Sequence, residues 1–265
     1  MTDIAVTAPR EADGTIMERH LPFETDGGIA ERAAIGIVVL ATDYTLEHEF
    51  RRLMDVPGVA FYHSRIRNEP HITPETLRAM EPRLTEAADL ILPSDTLDVV
   101  AYGCTAASMA IGEERVFELI NAARPTAKCT TPITAARAAF DAFGARRVGV
   151  LTPYSEDVNR IVADYIRARG VEVPVFGSFN EDDDRVVARI TPGSIRSAVG
   201  RLAAKADIDA VFVSCTSVRL ADAAHAIEEE IGLPVTSSNH ALAWHCLRLA
   251  GIDDKRPEFG RLFAL

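Results

Sequence analysis

Apolar runs alternate with amphipathic stretches along most of this chain of 265 residues. AAIGIVVLA (33–41) is continuously apolar and rich in β-branched residues, a pattern typical of a strand buried on both faces of a sheet. TLEHEFRRLM (45–54) has the spacing of a helix instead. Similar apolar runs predict further strands at 59–66, 98–104, 127–132, 145–153, 171–179, 209–215 and 234–238. Helices between successive strands indicate parallel sheets with helices on both faces.

Helix boundaries are signalled by residues that favour them. Thr73 is a candidate N-cap, which predicts a helix over 73–91. A helix is also predicted to follow the strand that ends at Cys104 and to continue to about Ala123. Another is predicted to follow the strand that ends at Cys215.

The two halves of the chain repeat one pattern. DVVAYGCT (98–105) returns as DAVFVSCT (209–216), and KCTTPITAA and PVTSSNHAL also occupy matching points. Gly36 and Gly149 are 113 positions apart, and Cys104 and Cys215 are 111 apart. Several anchors in the same order at nearly one spacing indicate an internal duplication. The predicted fold class is α/β, with two similar Rossmann-like lobes of parallel sheet, related by a pseudo-twofold axis, and an active site in the cleft between them.

Three segments follow from this pattern. Residues 1–32 are polar and lack a clear period, which predicts an N-terminal arm outside the core. The first lobe is predicted over 33–144 and the second over 145–265. Because the arm could reach a neighbouring molecule, we expect a homo-oligomer.

Composition and charge exclude several classes of partner. Lys and Arg number 28 against 39 Asp and Glu, a formal charge of −11. Nucleic acids and anionic membranes select basic surfaces, so we expect neither as a partner. No apolar stretch approaches the roughly 20 residues that span a bilayer, and the N-terminal sequence lacks the pattern of a signal peptide. We therefore expect a cytoplasmic protein whose four cysteines are free thiols.

Cys104 and Cys215 are the candidate catalytic residues. Each ends a predicted parallel strand, where ligands bind in α/β sheets. A thiol at the first turn of a helix is expected to have a lowered pKa. Two thiols on opposite sides of a cleft could move protons on opposite faces of a carbon and so invert it. Alternatively, one thiolate could add to a carbon–carbon double bond and later leave.

The residues around these cysteines suggest an anion site and no cofactor. Thr105, Thr216 and Ser217 offer hydroxyls and backbone N–H groups at predicted helix starts. The chain has no G-x-G-x-x-G and no Walker loop, so no nucleotide is expected. His240 and His245 do not share a helix face, and no metal is expected. Cys129 and Cys246 are interpreted as packing residues.

The motifs resemble a known group of enzymes. YGCTAAS, VSCTSVR, IGIVVL and VGVLTPYSEDVN are similar to the aspartate/glutamate racemase superfamily, in its maleate isomerase and arylmalonate decarboxylase branch. ATDYTLEHEF and AYGCTAAS most resemble the ectoine-utilisation protein A group, which is associated with breakdown of ectoine and hydroxyectoine. The resemblance covers the chain from about Arg32 to Leu249. It implies a cofactor-independent enzyme that acts on a small carboxylate between two lobes.

Site residues follow from the resemblance position by position. Cys104 and Cys215 match the two cysteines that maleate isomerases use, and Tyr154 matches their tyrosine after the first strand of the second lobe. Since arylmalonate decarboxylases keep only the second cysteine, Cys104 argues against simple decarboxylation.

Two acidic residues depart from the family pattern. Asp43, preceded by Thr42, and Asp184 occupy positions that are asparagine in maleate isomerases. An ionised aspartate cannot donate a hydrogen bond to a carboxylate. We therefore expect one end of the substrate to carry a cationic or hydroxyl group. For Asp43 the alternative is that it caps a helix that begins near Tyr44.

Three hypotheses of function remain open. The first is an isomerase that inverts a carbon next to a carboxylate in ectoine or hydroxyectoine degradation. Cys104 and Cys215 would carry the protons, while Tyr154, Thr216 and Ser217 would bind the carboxylate. The second is a cis–trans isomerase that works by covalent thiolate addition. The third is a binding protein for a metabolite, without catalysis.

Overall fold

A computed structural model of the chain describes residues 12–18 and 20–265. Two four-stranded parallel sheets form its framework. The strands are β1 (Ala33–Leu40), β2 (Val59–Ile66), β3 (Val99–Gly103), β4 (Lys128–Thr130), β5 (Val148–Thr152), β6 (Phe176–Ser178), β7 (Ala210–Val213) and β8 (Val235–Ser237).

Helices connect successive strands, as the alternating pattern predicts. They are α1 (Leu46–Leu53), α2 (Pro74–Arg78), α3 (Leu84–Asp89), α4 (Thr105–Ile111), α5 (Glu113–Ala123), α6 (Pro132–Phe143), α7 (Glu156–Arg167), α8 (Asp184–Val187), α9 (Pro192–Ala203), α10 (Ala224–Ile231), α11 (Ser238–Leu249) and α12 (Arg261–Ala264), with 3₁₀ helices at Glu81–Arg83 and Pro257–Phe259.

The two sheets have the same topology. The strand orders are β2-β1-β3-β4 and β6-β5-β7-β8. In each sheet the neighbouring strands are therefore the second, first, third and fourth strands of that half of the chain. Helices α6 and α11, which occupy matching positions in the two halves, pack against each other. The prediction of an α/β fold with two similar parallel-sheet lobes is therefore confirmed. The boundaries at residues 144 and 145 stay a prediction.

The repeated aspartates have a structural reason. Asp98 accepts a hydrogen bond from the backbone N–H of Ala34 at 2.8 Å, which ties the start of β3 to β1. Asp209 accepts from the N–H groups of Arg146 and Arg147 at 2.8 and 2.7 Å, which ties β7 to β5 in the same way. Each aspartate thus satisfies backbone donors at the entry of two central strands.

The repeated glycines are equivalent as well. A Cβ on Gly36 would lie 2.8 Å from Leu97 Cδ1, and a Cβ on Gly149 would lie 2.8 Å from Ile208 Cδ1. Leu97 and Ile208 are themselves 111 positions apart. Both lobes therefore need a residue without a side chain at one matching point of the first strand.

Gly103 lies next to Cys104 and should not tolerate a side chain. A Cβ there would lie 2.6 Å from Leu46 Cδ1 and 3.2 Å from the Val38 carbonyl oxygen. We expect Gly103→Ala to lower the free energy of unfolding by about 1–3 kcal/mol, the usual range for overpacking a core. The measurement is a urea titration followed by circular dichroism.

Gly200 provides the matched control for this substitution. It lies inside α9, and a Cβ there would have no neighbour within 4 Å. Gly200→Ala should raise the free energy of unfolding by roughly 0.5–1 kcal/mol, because alanine loses less backbone entropy in a helix. Equal unfolding midpoints for the two variants would contradict the close approach at Gly103.

Two predicted helices are interrupted. The segment 73–91 divides into α2, a 3₁₀ helix and α3, because Pro82 cannot continue the hydrogen-bond ladder of a helix. Thr73 does cap α2, since its side chain accepts from the Thr76 N–H. The helix predicted after Cys104 breaks at Gly112, whose φ of 99° is outside the helical range.

The region after Cys215 differs most from the prediction. No helix follows this cysteine directly; turns and irregular backbone occupy residues 216–223, and the next helix begins at Ala224. The strand predicted over 171–179 is also shorter: β6 spans Phe176–Ser178, and before it Glu172 forms an isolated parallel bridge with Arg147.

The predicted N-terminal arm lies partly outside the described residues, namely at 1–11 and 19. Residues 12–18 and 20–31 are exposed except for Ala30, and they contain no helix. The arm ends at Arg32, which pairs with Asp254 at 2.5 Å. Among the helices of the described part of the chain, none combines the length and the apolar character that crossing a membrane requires.

Candidate active site

A small pocket lies where the carboxyl ends of the sheets' strands face each other. Its wall includes Cys104, Cys215, Tyr154 and Asp184, four residues that the sequence singles out. Cys104 follows β3 and Cys215 lies two residues after β7, and these are matching strands of the two sheets. Both predicted catalytic thiols therefore reach one cavity from different lobes.

Cys104 is the N-cap residue of α4, as predicted, but its thiol is not activated there. Burial raises its pKa well above the ordinary value, and the backbone N–H of Ala107 offsets only part of this rise. The negative charge of Asp184 adds to the rise. The expectation of a lowered pKa is thus wrong, because the cost of burying a thiolate exceeds the effect of a two-turn helix.

Cys215 is in a similar state. Burial raises its pKa to about 12, and the charge of Asp184 contributes in the same direction. The nearby Tyr154 hydroxyl and the Ser217 N–H, which lies 3.4 Å from the sulfur, both lower the pKa and counter part of the rise. Burial therefore favours the thiol form of both sulfurs in the unliganded protein.

Asp184 bridges the two lobes at the pocket wall. Its Oδ2 accepts from the Thr42 hydroxyl at 2.6 Å, and its Oδ1 accepts from the Ser217 hydroxyl at 2.8 Å. Thr42 in turn accepts from Asn68 Nδ2 at 2.8 Å. Burial raises the pKa of Asp184, and the two hydroxyl donors limit that rise. The chain of hydrogen bonds holds a carboxylate beside both cysteines.

Asp43 has the capping role that the sequence offered as an alternative. Its Oδ1 accepts from the N–H groups of Thr45 and Leu46 at 2.7 and 2.8 Å, at the start of α1. Burial raises its pKa to about 6. The Thr216 hydroxyl lies beside this carboxyl group and lowers its pKa in part, although Oδ2 has no partner with full hydrogen-bond geometry among the described residues.

The remaining predicted binding residues lie behind the pocket wall. Thr105 donates from its hydroxyl to Ser238 Oγ at 2.7 Å, and Ser238 Oγ accepts from the Cys215 N–H at 3.0 Å. The Ser217 hydroxyl and the Thr42 hydroxyl are engaged with Asp184. These hydroxyls support the wall in the unliganded protein, so direct contact with substrate stays a prediction for them. Since no helix starts at Thr216, the predicted helix-start anion site is absent at this position of the described chain.

The comparison with known proteins identifies the family. The model of the arylmalonate decarboxylase family matches residues 70–263. The chain belongs to this family. Among curated relatives, the maleate isomerase of Alcaligenes faecalis is 28% identical over 244 residues, which is 87% of this chain and 96% of that protein.

Two solved structures extend the family relation to three dimensions. The maleate isomerase Iso from Pseudomonas putida S16 aligns with a TM-score of 0.80 at 26% identity, over 88% of this chain and 98% of that chain. A mutant of the Nocardia farcinica maleate cis-trans isomerase, solved with a covalently bound succinylcysteine intermediate, aligns with a TM-score of 0.78 at 24% identity, over 88% and 98% of the two chains. The prediction of an isomerase is confirmed by the maleate isomerases among the relatives.

Sequence reasoning did not predict that the segment after β2 lines the pocket. Asn68, Glu69, His71 and Ile72 line the pocket from the segment 67–73. This segment pairs with the segment before α8, since the Ile72 N–H donates to the Asp182 carbonyl at 3.1 Å. The sequence did contain one indication of this role: the segment follows the carboxyl end of a predicted parallel strand, where ligands bind in α/β sheets.

The other two cysteines lie outside the pocket. Cys246 is fully buried in α11, and Cys129 is half-buried, with its sulfur 3.1 Å from the side-chain amide of Asn121. Across residues 12–18 and 20–265, no group of three or more His, Cys, Asp or Glu is arranged to hold a metal ion.

Proposed function

We propose that this protein is a cofactor-independent isomerase in which Cys104 and Cys215 invert a carbon next to a carboxylate. The observation that carries the proposal is the convergence of these two thiols, from matching positions of two lobes, on one pocket. One sulfur, as thiolate, takes the proton from one face of the carbon. The other thiol gives a proton to the opposite face, so the pair is left with its protonation exchanged.

Tyr154 is suited to assist this exchange. Its hydroxyl lowers the pKa of Cys215 and it lines the pocket, so it can stabilise the thiolate or meet a substrate carboxylate. The charge that develops on the substrate carboxylate during proton removal needs hydrogen-bond donors. The Tyr154 hydroxyl is the donor that we assign to this task, because the backbone N–H groups of Ala107 and Ser217 serve the two sulfurs.

The acidic wall restricts the substrate. Asp184 and Glu69 line the pocket, whereas no Lys or Arg is among the described residues that line it. A substrate with a carboxylate at each end would meet the negative charge of these two residues without a Lys or Arg to offset it. We therefore propose a substrate whose second end is cationic or carries a hydroxyl group. A cation beside Asp184 would also favour the thiolate forms of both cysteines, because Asp184 raises their pKa.

Ectoine and hydroxyectoine degradation is the proposed context. It rests on the similarity of ATDYTLEHEF and AYGCTAAS to the ectoine-utilisation protein A group. Amino acids and N-acetylated diamino acids from such a route carry the carboxylate and the nitrogen-bearing end that the pocket favours. We also propose that the protein is cytoplasmic and forms a homo-oligomer. The exposed Phe23 and Ile29 of the arm support the oligomer. A sedimentation-velocity experiment that shows only monomer would contradict it.

A second candidate function is cis–trans isomerisation by covalent addition of one thiolate. The observation that favours it is the similarity to maleate isomerases over nearly the whole chain, together with the succinylcysteine intermediate seen in one of them. Here a thiolate adds to one carbon of a double bond, the other thiol protonates the neighbouring carbon, and rotation precedes the reverse steps. A third candidate, a metabolite-binding protein, would leave both thiols without chemistry.

The test compares substrates in D₂O. Single enantiomers of N-acetylated diamino acids and maleate are incubated with the protein and followed by proton NMR and chiral chromatography. Inversion with deuterium at the carbon next to the carboxylate supports the first function. Conversion of maleate with a thioether adduct in the intact-protein mass supports the second. Ligand binding that persists after both cysteines become serine, without turnover in the wild-type protein, supports the third.

A further inference from the structure

We propose that Glu49 is a positioning residue that holds the Cys215 loop, residues 215–223, from the opposite lobe. This inference rests on the proposed function only in calling the held cysteine catalytic. Glu49 lies on α1 of the first lobe and is buried. Its Oε1 accepts from the N–H groups of Leu220 and Ala221, both at 2.8 Å, and these residues belong to the Cys215 loop.

The Cys215 loop needs such support because it lacks a helix of its own. Cys104 is followed at once by α4, whose internal hydrogen bonds hold the chain after it. After Cys215 the next helix begins only at Ala224. The backbone donors of Leu220 and Ala221 are buried, and buried donors without partners are costly. Glu49 satisfies both with one oxygen.

Two further contacts of the same region converge on this loop. Glu49 Oε2 accepts from Asn239 Nδ2 at 2.8 Å, and the same Nδ2 donates to the Thr216 carbonyl at 2.7 Å. Thr45, at the start of α1, donates from its hydroxyl to the Ser217 carbonyl at 2.8 Å. The two residues directly after Cys215 are thus fixed by a network that Glu49 completes.

The carboxylate is the suitable group at this position. Glu49 accepts hydrogen bonds from three N–H groups. An ionised carboxylate suits this position because both of its oxygens accept and neither donates. A glutamine would point its own NH₂ at either the backbone donors or Asn239, whose amide is oriented by the Thr216 carbonyl. Burying an acid is costly, and here burial raises the pKa of Glu49 to about 7. A costly buried acid at the lobe junction is consistent with a positioning role.

Glu49→Gln tests the proposal without any substrate. The full-length protein is treated with iodoacetamide at alkaline pH, and alkylation of each cysteine is followed by peptide mass spectrometry. Loss of the contacts to Leu220 and Ala221 should loosen the loop and expose its cysteine. We expect the ratio of the Cys215 rate to the Cys104 rate to rise about tenfold, the effect of losing roughly one buried hydrogen bond.

Glu228→Gln is the matched control. Glu228 is also a buried glutamate that accepts two backbone N–H groups, from Val235 and Arg261, but it neither contacts the Cys215 loop nor lines the pocket. A general loss of stability should therefore appear in both variants, whereas the change in the Cys215 to Cys104 ratio should appear only in Glu49→Gln.

Thr45→Val provides a second route if Glu49→Gln does not fold. It removes the hydroxyl that holds the Ser217 carbonyl and should raise the same ratio. An unchanged ratio in the folded variants, or an equal change in Glu228→Gln, overturns the proposal. Because alkylation needs no turnover, failure of the isomerase function in the NMR assay is distinguished from failure of the positioning role.

Discussion

Replacing either Cys104 or Cys215 with serine is expected to lower the turnover of the isomerase by roughly 10²- to 10⁴-fold, the range that general acid–base groups supply. Serine keeps the size of the side chain but is a much weaker acid than a thiol, and the same burial that raises the pKa of both thiols acts against an alkoxide. The measurement is kcat for inversion of a single enantiomer, followed by chiral chromatography.

Cys129→Ser is the control for these two variants. Cys129 is half-buried and lies outside the pocket, so its replacement should leave kcat unchanged. Since inversion needs one proton carrier on each face of the carbon, both pocket variants should lose inversion. The variant that keeps the thiol facing the substrate proton can still exchange that proton with D₂O. Full inversion by either pocket variant would show that the two-thiol mechanism is wrong.

Asp184→Asn is expected to change substrate selectivity by about 10- to 100-fold, the value of a hydrogen bond to a charged partner. The variant removes the negative charge beside both thiols and adds an amide donor, so it should lose activity on substrates with a cationic end. Activity on dicarboxylates such as maleate should rise in relative terms. The quantity to measure is the ratio of kcat/KM for the two substrate types.

Asp183→Asn is the neighbouring control. Asp183 caps α8 and pairs with Arg185 at 2.5 Å, and it does not line the pocket. Its replacement can lower stability but should leave the selectivity ratio where it is. Efficient isomerisation of maleate by the unmodified protein would contradict the role assigned to the Asp184 charge.

The framework of the fold and the pair of cysteines could be predicted from the sequence because both depend on local patterns that the chain repeats. A buried parallel strand reads as an apolar run wherever it occurs, as in β1. The duplicated aspartate, glycine and cysteine positions then align the two halves without any knowledge of their contacts. Thr73 likewise marks the start of α2 through short-range hydrogen bonding.

Local patterns did not predict where helices are interrupted or replaced by loops. The apolar spacing after Cys104 fits one helix, but Gly112 adopts a positive φ and separates α4 from α5. After Cys215 the segment has ordinary helical residues, yet its backbone donors bond to Glu49, which is 171 positions from Leu220. Such distant partners leave no periodic trace in the sequence.

The sequence alone determined the α/β duplication and the two matching cysteines, since these are written in residue types and spacings. Only the tertiary structure decided how the site is built. It placed Asp184 beside both thiols and Asn68 and Glu69 in the pocket wall. It also showed that Asp43 accepts backbone hydrogen bonds at the start of α1. It also reversed the expected pKa shift of the thiols, because burial depends on every chain segment that packs around a sulfur and not on the helix that follows it.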